Sequence, residues 1–225
     1  MKSLPEHIIL ASASPARKKV LEDLGIKVET APTGCDEQTD EKDPASSVTL
    51  LARRKLHAYL QMTERNDALA TNDWTDISID GKGRFFPSLL QCAQRPFKGP
   101  SVLTCDTMVV FEDRLIGKPK DSNEAFQLLQ SFSGKEQTVV TGFALLLEGK
   151  CLLSGCDHAT VQFRTYGLQE IKDYLATEEW KGAAGGYRIQ KEGKHLVERT
   201  IGDIHTVVGL PLFLISALIG SNFVL

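Results

Sequence analysis

The sequence predicts an α/β fold in which helices flank a mixed central β-sheet. Strand-like and helix-like segments alternate along the chain, which is typical of layered α/β proteins. Long connections that contain a helix occur beside short hairpin connections, so parallel and antiparallel strand pairs are both expected. The chain has 225 residues, 42% of them hydrophobic and 24% charged. These values are close to those of an ordinary globular protein with a real core.

The first four elements are predicted to be a strand, a helix, a second strand and a long helix. Residues 7–11 indicate a buried strand, because residues 8–11 are all apolar. Residues 15–24 indicate a helix, because Ser14 is a favoured N-cap residue and a proline follows it. A short strand is predicted at 26–30. Residues 44–61 carry an apolar stripe at helical spacing and predict the long helix.

Residues 63–100 differ in character from the rest of the chain. They contain many Gly, Pro, Asn and Asp residues and show no sustained hydrophobic period. The segment is far longer than the usual connection between two elements. We therefore predict an insertion at about 63–100, either functional or mobile, within a chain that otherwise forms one domain over residues 1–225.

The second half of the chain is predicted to contain hairpins and further helices. Predicted strands lie at 101–111, at the segment ending at 116, and at 137–147, 151–163 and 196–201. Predicted helices lie at 121–132, 168–176 and 211–219. The helix at 121–132 begins with Asp121 and Glu124, a capping pattern. Residues 148–150 form the predicted turn of a long hairpin.

Composition excludes several classes of protein. The formal net charge is −3, so a nucleic-acid coat or a polybasic membrane binder is not expected. The five cysteines form no C-x-x-C pair, which indicates reduced thiols rather than a zinc site or a disulfide framework. The first apolar run is too short for a signal peptide, and the longest, at 210–219, is too short to span a bilayer. We expect a cytoplasmic protein with no membrane and no nucleic-acid partner.

The turn between the first strand and helix is the first candidate site. A helix N-terminus offers free N–H groups and the positive end of the helix dipole, both of which favour phosphate. Ser12 and Ser14 add hydroxyl groups, and Arg17 adds a guanidinium. The alternative is a well-capped helix with a solvated basic face. The chain contains neither G-x-x-x-x-G-K-[ST] nor G-x-G-x-x-G.

Two charged residues interrupt apolar patterns and are candidates for chemistry. Lys55 lies on the apolar stripe of its predicted helix, where it either has a function or extends its ammonium past the core to water. Asp106 lies inside a strand that is apolar on both faces, so its carboxylate should be enclosed. A buried carboxylate needs a metal, a cation or a chemical task, and a structural ion pair is the alternative.

Three further patterns are weaker. The acidic pair Asp36-Glu37 follows the second strand and offers oxygen ligands suited to Mg²⁺, although surface acidic pairs are common. Lys118, in Gly-Lys-Pro, could place an ammonium near a phosphate, or simply occupy a turn. The glycine-rich segment 182–190 ends at Gln190, whose amide could contact a nucleotide base. A flexible loop is the alternative there.

Taken in chain order, these segments resemble the Maf family of nucleoside triphosphate pyrophosphatases. The matching segments are I-L-A-S-A-S-P at 9–15, G-C-D-E at 34–37, L-A-R-R-K at 51–55, D-T-M-V-V at 106–110, G-K-P at 117–119, S-G-K at 133–135, V-T-G at 140–142, V-Q-F at 161–163, A-G-G-Y-R-I-Q at 184–190 and V-V-G-L-P at 207–211. Each is short, but their order and spacing are jointly specific. They cover nearly the whole chain except residues 63–100.

The resemblance implies a Maf/ITPase-like fold with an elongated sheet and an active-site cleft. It also implies a specific reaction. That reaction is the hydrolysis of a nucleoside triphosphate to the monophosphate and pyrophosphate, assisted by Mg²⁺ or another divalent cation such as Mn²⁺. The I-Q ending at 189–190 is similar to the branch that acts on dTTP, UTP and related pyrimidine nucleotides. The resemblance also implies a cytoplasmic homodimer that removes surplus or non-canonical nucleotides.

The family pattern assigns roles residue by residue. Asp106 takes the place of the general base, with Lys55 and Lys118 as catalytic cations and with Glu37 and Asp106 at the metal. The positions implied for binding phosphate or selecting substrate are Ser12, Ser14, Arg17, Thr107 and Gln190.

Two positions depart from the family pattern. Ala16 stands where the first arginine of Ser-x-Ser-Pro-Arg-Arg is usual, and Ala183 stands where a lysine is usual. The losses weaken the pyrimidine assignment and motivate an alternative, a catalytically weak regulatory protein that binds nucleotides on the same scaffold. Nearby basic residues that could compensate are Lys18, Lys19, Lys181 and Arg188.

Overall fold

The computed structural model describes residues 5–64, 75–77, 100–147 and 151–215. The helices are α1 (Pro15–Asp23), α2 (Pro44–Met62), α3 (Ser122–Phe132), α4 (Leu168–Ala176) and α5 (Ile204–Val208). The strands are β1 (His7–Leu10), β2 (Lys27–Thr30), β3 (Thr75–Ile77), β4 (Ser101–Phe111), β5 (Arg114–Ile116), β6 (Glu136–Leu147), β7 (Cys151–Phe163) and β8 (Val197–Ile201). Short 3₁₀ helices lie at Ala184–Gly186 and Glu192–Leu196. Because parallel and antiparallel pairs share one sheet flanked by helices, the predicted fold class is confirmed.

The chain divides into two compact units. The first comprises the described parts of Met1–Asp106, Thr141–Asp157 and Gly209–Leu225. The second comprises the described parts of Thr107–Val140 and His158–Val208.

In the first unit the strands follow the order β2-β1-β4-β6-β7-β3. Strand β1 pairs in parallel with β2 and with β4, where Ile9 lies beside Val102. Alternate residues of the central strands point to opposite faces. Leu10 belongs to the cluster that also contains Leu21 of α1, whereas Ile9 belongs to the cluster that contains Leu56 of α2. Both faces of these strands are therefore covered by helices, as their continuous apolar sequence predicts.

Helix α2 lies very close to strand β6. Gly142 makes this approach possible, because a Cβ atom there would lie 2.5 Å from the carbonyl carbon of Val48. The side chain of Thr104 adds a polar link between β4 and α2, since its hydroxyl donates to the Ala52 carbonyl at 2.6 Å. Alternation along β4 then places Asp106, two residues after Thr104, on the same face as α2.

In the second unit, β5, β4, β6, β7 and β8 are neighbours in that order. The β4–β5 hairpin turns at Glu112 and Asp113, whose φ angles are 48° and 57°. Positive φ at both central residues is the geometry of the favoured two-residue hairpin turn. The predicted tight turn is confirmed. The core of this unit is aromatic, with the rings of Phe132 and Phe163 stacked at 5.3 Å.

Some elements differ from the sequence-based expectation. Strand β3 lies within the predicted insertion, and residues 65–74 and 78–99 are outside the described residues. The single-domain organisation with an insertion therefore stays a prediction. The sequence did not indicate α5, whose residues are mostly β-branched, yet Asp203 accepts from the backbone N–H of His205 at 2.9 Å and begins the helix.

The last predicted helix, at 211–219, is observed at residues 212–215, and its remainder lies outside the described residues. The predicted hairpin turn at 148–150 also lies outside the described residues. No helix within the described residues is both long enough and apolar enough to cross a membrane.

Candidate active site

The turn between β1 and α1 is built by two hydroxyl groups. Ser14 is the N-cap of α1, and its Oγ accepts from the backbone N–H of Arg17 at 3.4 Å. The Ser12 Oγ accepts from the backbone N–H of Ser14 at 3.2 Å. The predicted cap is confirmed, and both serines lie at the positive end of the helix dipole.

The guanidinium of Arg17 binds protein oxygens from three parts of the first unit. Its Nη1 donates to Ser12 Oγ at 3.1 Å and to the carbonyl of Cys105 at 3.0 Å, while its Nε donates to the carbonyl of Gly209 at 2.7 Å. Arg17 therefore joins the β1–α1 turn to the end of β4, at the residue before Asp106. Its charge lies beside the turn as predicted, and these bonds give it a structural role as well.

A buried ion pair joins α2 to β4. The Lys55 Nζ lies 2.5 Å from Asp106 Oδ1, and the two residues are only 9% and 8% exposed. Lys55 is on the apolar face of α2, which packs on β4, and Asp106 is on the facing side of that strand. The predicted enclosure of Asp106 is confirmed, and Lys55, for which the sequence left a path to water open, directs its ammonium to that carboxylate.

Glu37 completes a group of three charges. Its Oε1 lies 2.8 Å from Lys55 Nζ, and its side chain is 53% exposed, so it forms the solvent side of the group. Burial lowers the pKa of Lys55, but the carboxylates of Asp106 and Glu37 raise the pKa more strongly, so the net direction is upward. Lys55 is therefore a cation at neutral pH, shared by two carboxylates.

The thiol of Cys105 lies behind this group and is fully buried. Burial raises the pKa of Cys105 to about 11, because the thiolate would be charged in an apolar environment. The thiol stays protonated at neutral pH and is an inert part of the core. The cysteines whose side chains are described, Cys35, Cys105 and Cys156, form no disulfide with one another.

Glu37 and Asp106 are suited to a divalent cation that arrives with a substrate. Both offer hard carboxylate oxygens on either side of one ammonium. Within the described residues, no group of three or more His, Cys, Asp or Glu side chains could hold a metal alone. A hard divalent cation is commonly held by one or two carboxylates together with substrate phosphates and water, and the carboxylates of Glu37 and Asp106 fit a site of that kind.

Three predicted site residues belong to the second unit. Thr107 follows Asp106 on β4 and is half-buried, whereas Lys118 and Gln190 are exposed. The backbone N–H of Gly185 donates to the carbonyl of Gly117 at 3.0 Å. The segment that carries Lys118 and the glycine-rich segment are therefore directly joined.

The glycine-rich segment is anchored by a buried polar pair. The Nε2 of Gln137 donates to the hydroxyl of Tyr187 at 2.5 Å, and both residues are buried. Burial raises the pKa of Tyr187, so the phenol stays neutral. Gly185 and Gly186 have φ angles of 71° and 72°, a region that favours glycine. Gln137 was not among the residues predicted from the sequence, although a glutamine in an apolar strand is a detectable signal.

The basic residues that could compensate for Ala16 and Ala183 all have protein partners. Arg188 donates to the carbonyls of Glu179 and Lys181, each at 2.9 Å. The other three ammonium groups pair with acids of their own segments, in the pairs Lys181–Glu178, Lys18–Glu22 and Lys19–Asp23. These contacts give each residue a local structural role.

Comparison with known proteins finds relatives over nearly the whole chain. The family model described as Maf-like protein matches residues 7–221. A "dTTP/UTP pyrophosphatase" of Pyrococcus abyssi is 32% identical over 216 residues, which is 96% of each chain. A protein of the same name from Geobacillus sp. is 35% identical over 209 residues, covering 92% of this chain and 93% of the relative.

A third relative of that name, from Clostridioides difficile, is 31% identical over 220 residues, with 96% of this chain and 95% of the relative covered. The matches run through both units of the fold and through the segments that carry the three charges. The chain belongs to the Maf family.

Proposed function

We propose that this protein is a nucleoside triphosphate pyrophosphatase that releases pyrophosphate and a nucleoside monophosphate, with dTTP and UTP as its substrates. Its Maf-family relatives named dTTP/UTP pyrophosphatase support the activity and the substrate class. The observation that carries the proposal is the group of three charges at Glu37, Lys55 and Asp106. A buried carboxylate held beside a cation is suited to general-base chemistry on a charged substrate.

Asp106 is the general base that takes the proton of the water attacking the α-phosphorus. The Lys55 ammonium holds Oδ1 of that carboxylate in place, and their low exposure limits competition from bulk water. A positioned general base contributes on the order of 10²–10⁴-fold to a rate. Lys55 also supplies positive charge where negative charge accumulates on the phosphate oxygens.

The N-terminus of α1 binds phosphate in this proposal. Its free N–H groups and dipole favour an anion, and the hydroxyls of Ser12 and Ser14 lie at the same end of the helix. Arg17 adds positive charge and holds the turn in shape. In the second unit, Lys118 serves as a further catalytic cation, and Thr107 and Gln190 select the base.

Glu37 and Asp106 hold the divalent cation, Mg²⁺ or Mn²⁺. When bound, the cation neutralises phosphate charge and polarises the bond that is cleaved. Glu37 is the exposed member of the pair, so its carboxylate would be the more accessible of the two to a divalent cation. We also infer that the enzyme acts in the cytoplasm as a homodimer, and light scattering of the purified chain tests the dimer.

A pyrophosphate-release assay over canonical and modified nucleoside triphosphates with Mg²⁺ tests the activity. We expect turnover of dTTP and UTP, and a loss of at least about 10²-fold in kcat for Asp106→Asn. Asp113→Asn is the matched control, because Asp113 is an exposed turn residue and not part of the proposed site. Nucleotide binding with no turnover of any substrate would instead identify a regulatory nucleotide-binding protein.

The missing arginine is testable by reversion. Ala16 is half-buried in the first turn of α1, so an arginine there can extend its guanidinium into solvent beside the turn. We expect Ala16→Arg to raise kcat/KM for the best substrate. Ala183 is only 7% exposed, so Ala183→Lys must also find room for a longer side chain. An unchanged kcat/KM in Ala16→Arg would mean that the site is complete without that cation.

A further inference from the structure

We propose that Arg54 is a positioning residue that holds the loop of Glu37 in the geometry needed for catalysis. The inference rests on the proposed function, because it concerns the use of Glu37 by the active enzyme. It assigns a role to a residue that lies outside the group of three charges and does not touch their side chains in the described contacts.

Glu37 lies in a segment with no helix or strand. Residues 31–43 connect β2 to α2 without regular secondary structure, and Glu37 is near the middle of this loop. An exposed loop of this kind is ordered only by the contacts that tie it down. The position of the Glu37 carboxylate beside Lys55 therefore depends on how the backbone around it is held.

Arg54 holds that backbone on both sides of Glu37. Its Nη1 donates to the carbonyl of Asp36 at 3.0 Å and to the carbonyl of Gln38 at 2.6 Å. These are the residues immediately before and after Glu37. Because one nitrogen binds the carbonyls of the residues before and after Glu37, the backbone on both sides of that residue is fixed to a single point on α2.

The same turn of α2 carries both partners of the Glu37 segment. Arg54 binds the backbone and the next residue, Lys55, binds the carboxylate at 2.8 Å. The helix itself is rigidly placed by buried residues such as Leu56. A local turn adds to the order of the loop, since Asp36 Oδ1 accepts from the backbone N–H of Gln38 at 2.9 Å.

The neighbouring arginine has a different task, which separates the two roles. Arg53 donates from Nε and Nη2 to the buried hydroxyl of Ser154 at 2.9 and 2.8 Å, so it joins α2 to β7. Removal of Arg53 would disturb the core, whereas Arg54 is half-exposed and bonds only to loop carbonyls in the described contacts. Replacing Arg54 should therefore increase the mobility of the loop at 31–43 and leave the fold intact.

The expected effect follows from the contacts. Residues that orient the groups binding a metal typically change metal affinity or activity by about 10–100-fold when they are removed. For Arg54→Ala we expect kcat/KM at limiting Mg²⁺ to fall by about 10-fold or more, with a smaller fall in kcat at saturating Mg²⁺. Arg54→Lys can donate to one or both carbonyls through its ammonium and should recover part of the loss.

Two measurements test the proposal on the full-length chain. The first is pyrophosphate release across a Mg²⁺ titration for the wild type, Arg54→Ala, Arg54→Lys and the control Arg114→Ala, which removes an exposed arginine paired with Glu112. The second is hydrogen–deuterium exchange of residues 34–40 in metal-free protein. We expect faster exchange at 34–40 in Arg54→Ala, intermediate exchange in Arg54→Lys, and no change in Arg114→Ala.

The inference would be overturned if residues 34–40 exchange at the same rate in Arg54→Ala and in wild type. It would also be overturned if the dependence of pyrophosphate release on Mg²⁺ concentration is the same in both proteins. A global change in exchange would overturn it too, because Arg54 would then support the fold and not the loop. The proposed function fails separately, when wild-type protein releases no pyrophosphate from any nucleotide. The exchange measurement still decides the positioning role in that case.

Discussion

Removing one partner of the Lys55–Asp106 pair should lower the free energy of unfolding, and the size of the loss should depend on which partner is removed. In Lys55→Met the side chain keeps a similar length but loses its charge, and the Asp106 carboxylate, in a residue 8% exposed, loses its ammonium partner. In Asp106→Asn the Lys55 ammonium keeps Glu37 at 2.8 Å, and the amide oxygen can still accept a hydrogen bond. Lys55→Met should therefore be the more destabilising change.

The size of the expected loss in unfolding free energy follows from the burial of the pair. Leaving one buried charge without its partner costs about 3–5 kcal/mol of unfolding free energy. For a chain of this size that is a fall of about 6–20 °C in Tm. Asp106→Asn removes a charge but leaves no buried charge without a partner, so we expect the free energy of unfolding to fall by only about 1–2 kcal/mol. The double variant Lys55→Met/Asp106→Asn removes both charges and should be more stable than Lys55→Met alone.

Thermal unfolding at neutral pH, followed by circular dichroism, measures all three variants, and the pyrophosphate-release assay runs on the same samples. Lys55→Met and Asp106→Asn should both lose activity, although only the first loses much stability. A Lys55→Met protein that melts within about 2 °C of wild type would refute the reasoning, because the ammonium would then not compensate a buried charge. A double variant less stable than Lys55→Met would refute it equally.

The remaining predictions concern packing, thiol chemistry and titration. Gly142→Ala places a methyl against the backbone of α2, so we expect a loss of about 1–3 kcal/mol in a urea unfolding experiment, and an unchanged midpoint would contradict the close approach. Cys105 should resist iodoacetamide at pH 8 in folded protein, because burial raises its pKa to about 11, and peptide mapping by mass spectrometry should show half-buried Cys35 modified faster than Cys105. His57 should titrate below its ordinary value in an NMR experiment, because burial and the Arg53 charge lower its pKa. The neutral form of His57 therefore contributes to the stability of the fold above about pH 6.5, and this contribution is lost as the pH falls through the lowered pKa. An ordinary titration midpoint would contradict the observed burial of His57 beside Arg53.

Local elements were predicted well where a short stretch of sequence contains the whole physical cause. Ser14 caps α1 because its hydroxyl reaches an N–H three residues later, and Asp121 caps α3 for the same reason. The Glu112-Asp113 turn follows from the tight reversal between two strands. Each of these causes acts within a few residues, so no information about the rest of the chain is needed.

The partners of the site residues could not be predicted in this way. Arg17 was expected at a phosphate, but its bonds to the carbonyls of Cys105 and Gly209 span 88 and 192 positions in the chain. Arg54 lies in the L-A-R-R-K segment at 51–55 that resembles the family, but the sequence assigned it no role, because a basic residue on a helix is usually solvated. Its role depends on where the loop after β2 passes, and that path is decided by packing between distant segments.

By itself, the sequence placed Lys55 on the apolar stripe of its helix and predicted that Asp106 would be enclosed, because each interrupts an apolar pattern whose period defines a buried face. It also indicated the family through the order of short motifs. Only the tertiary structure decided that these two charges neutralise each other and share the ammonium with Glu37. The physical reason is that periodicity shows which side of an element is buried, whereas the pairing of strands and the packing of α2 on β4 determine which buried groups meet.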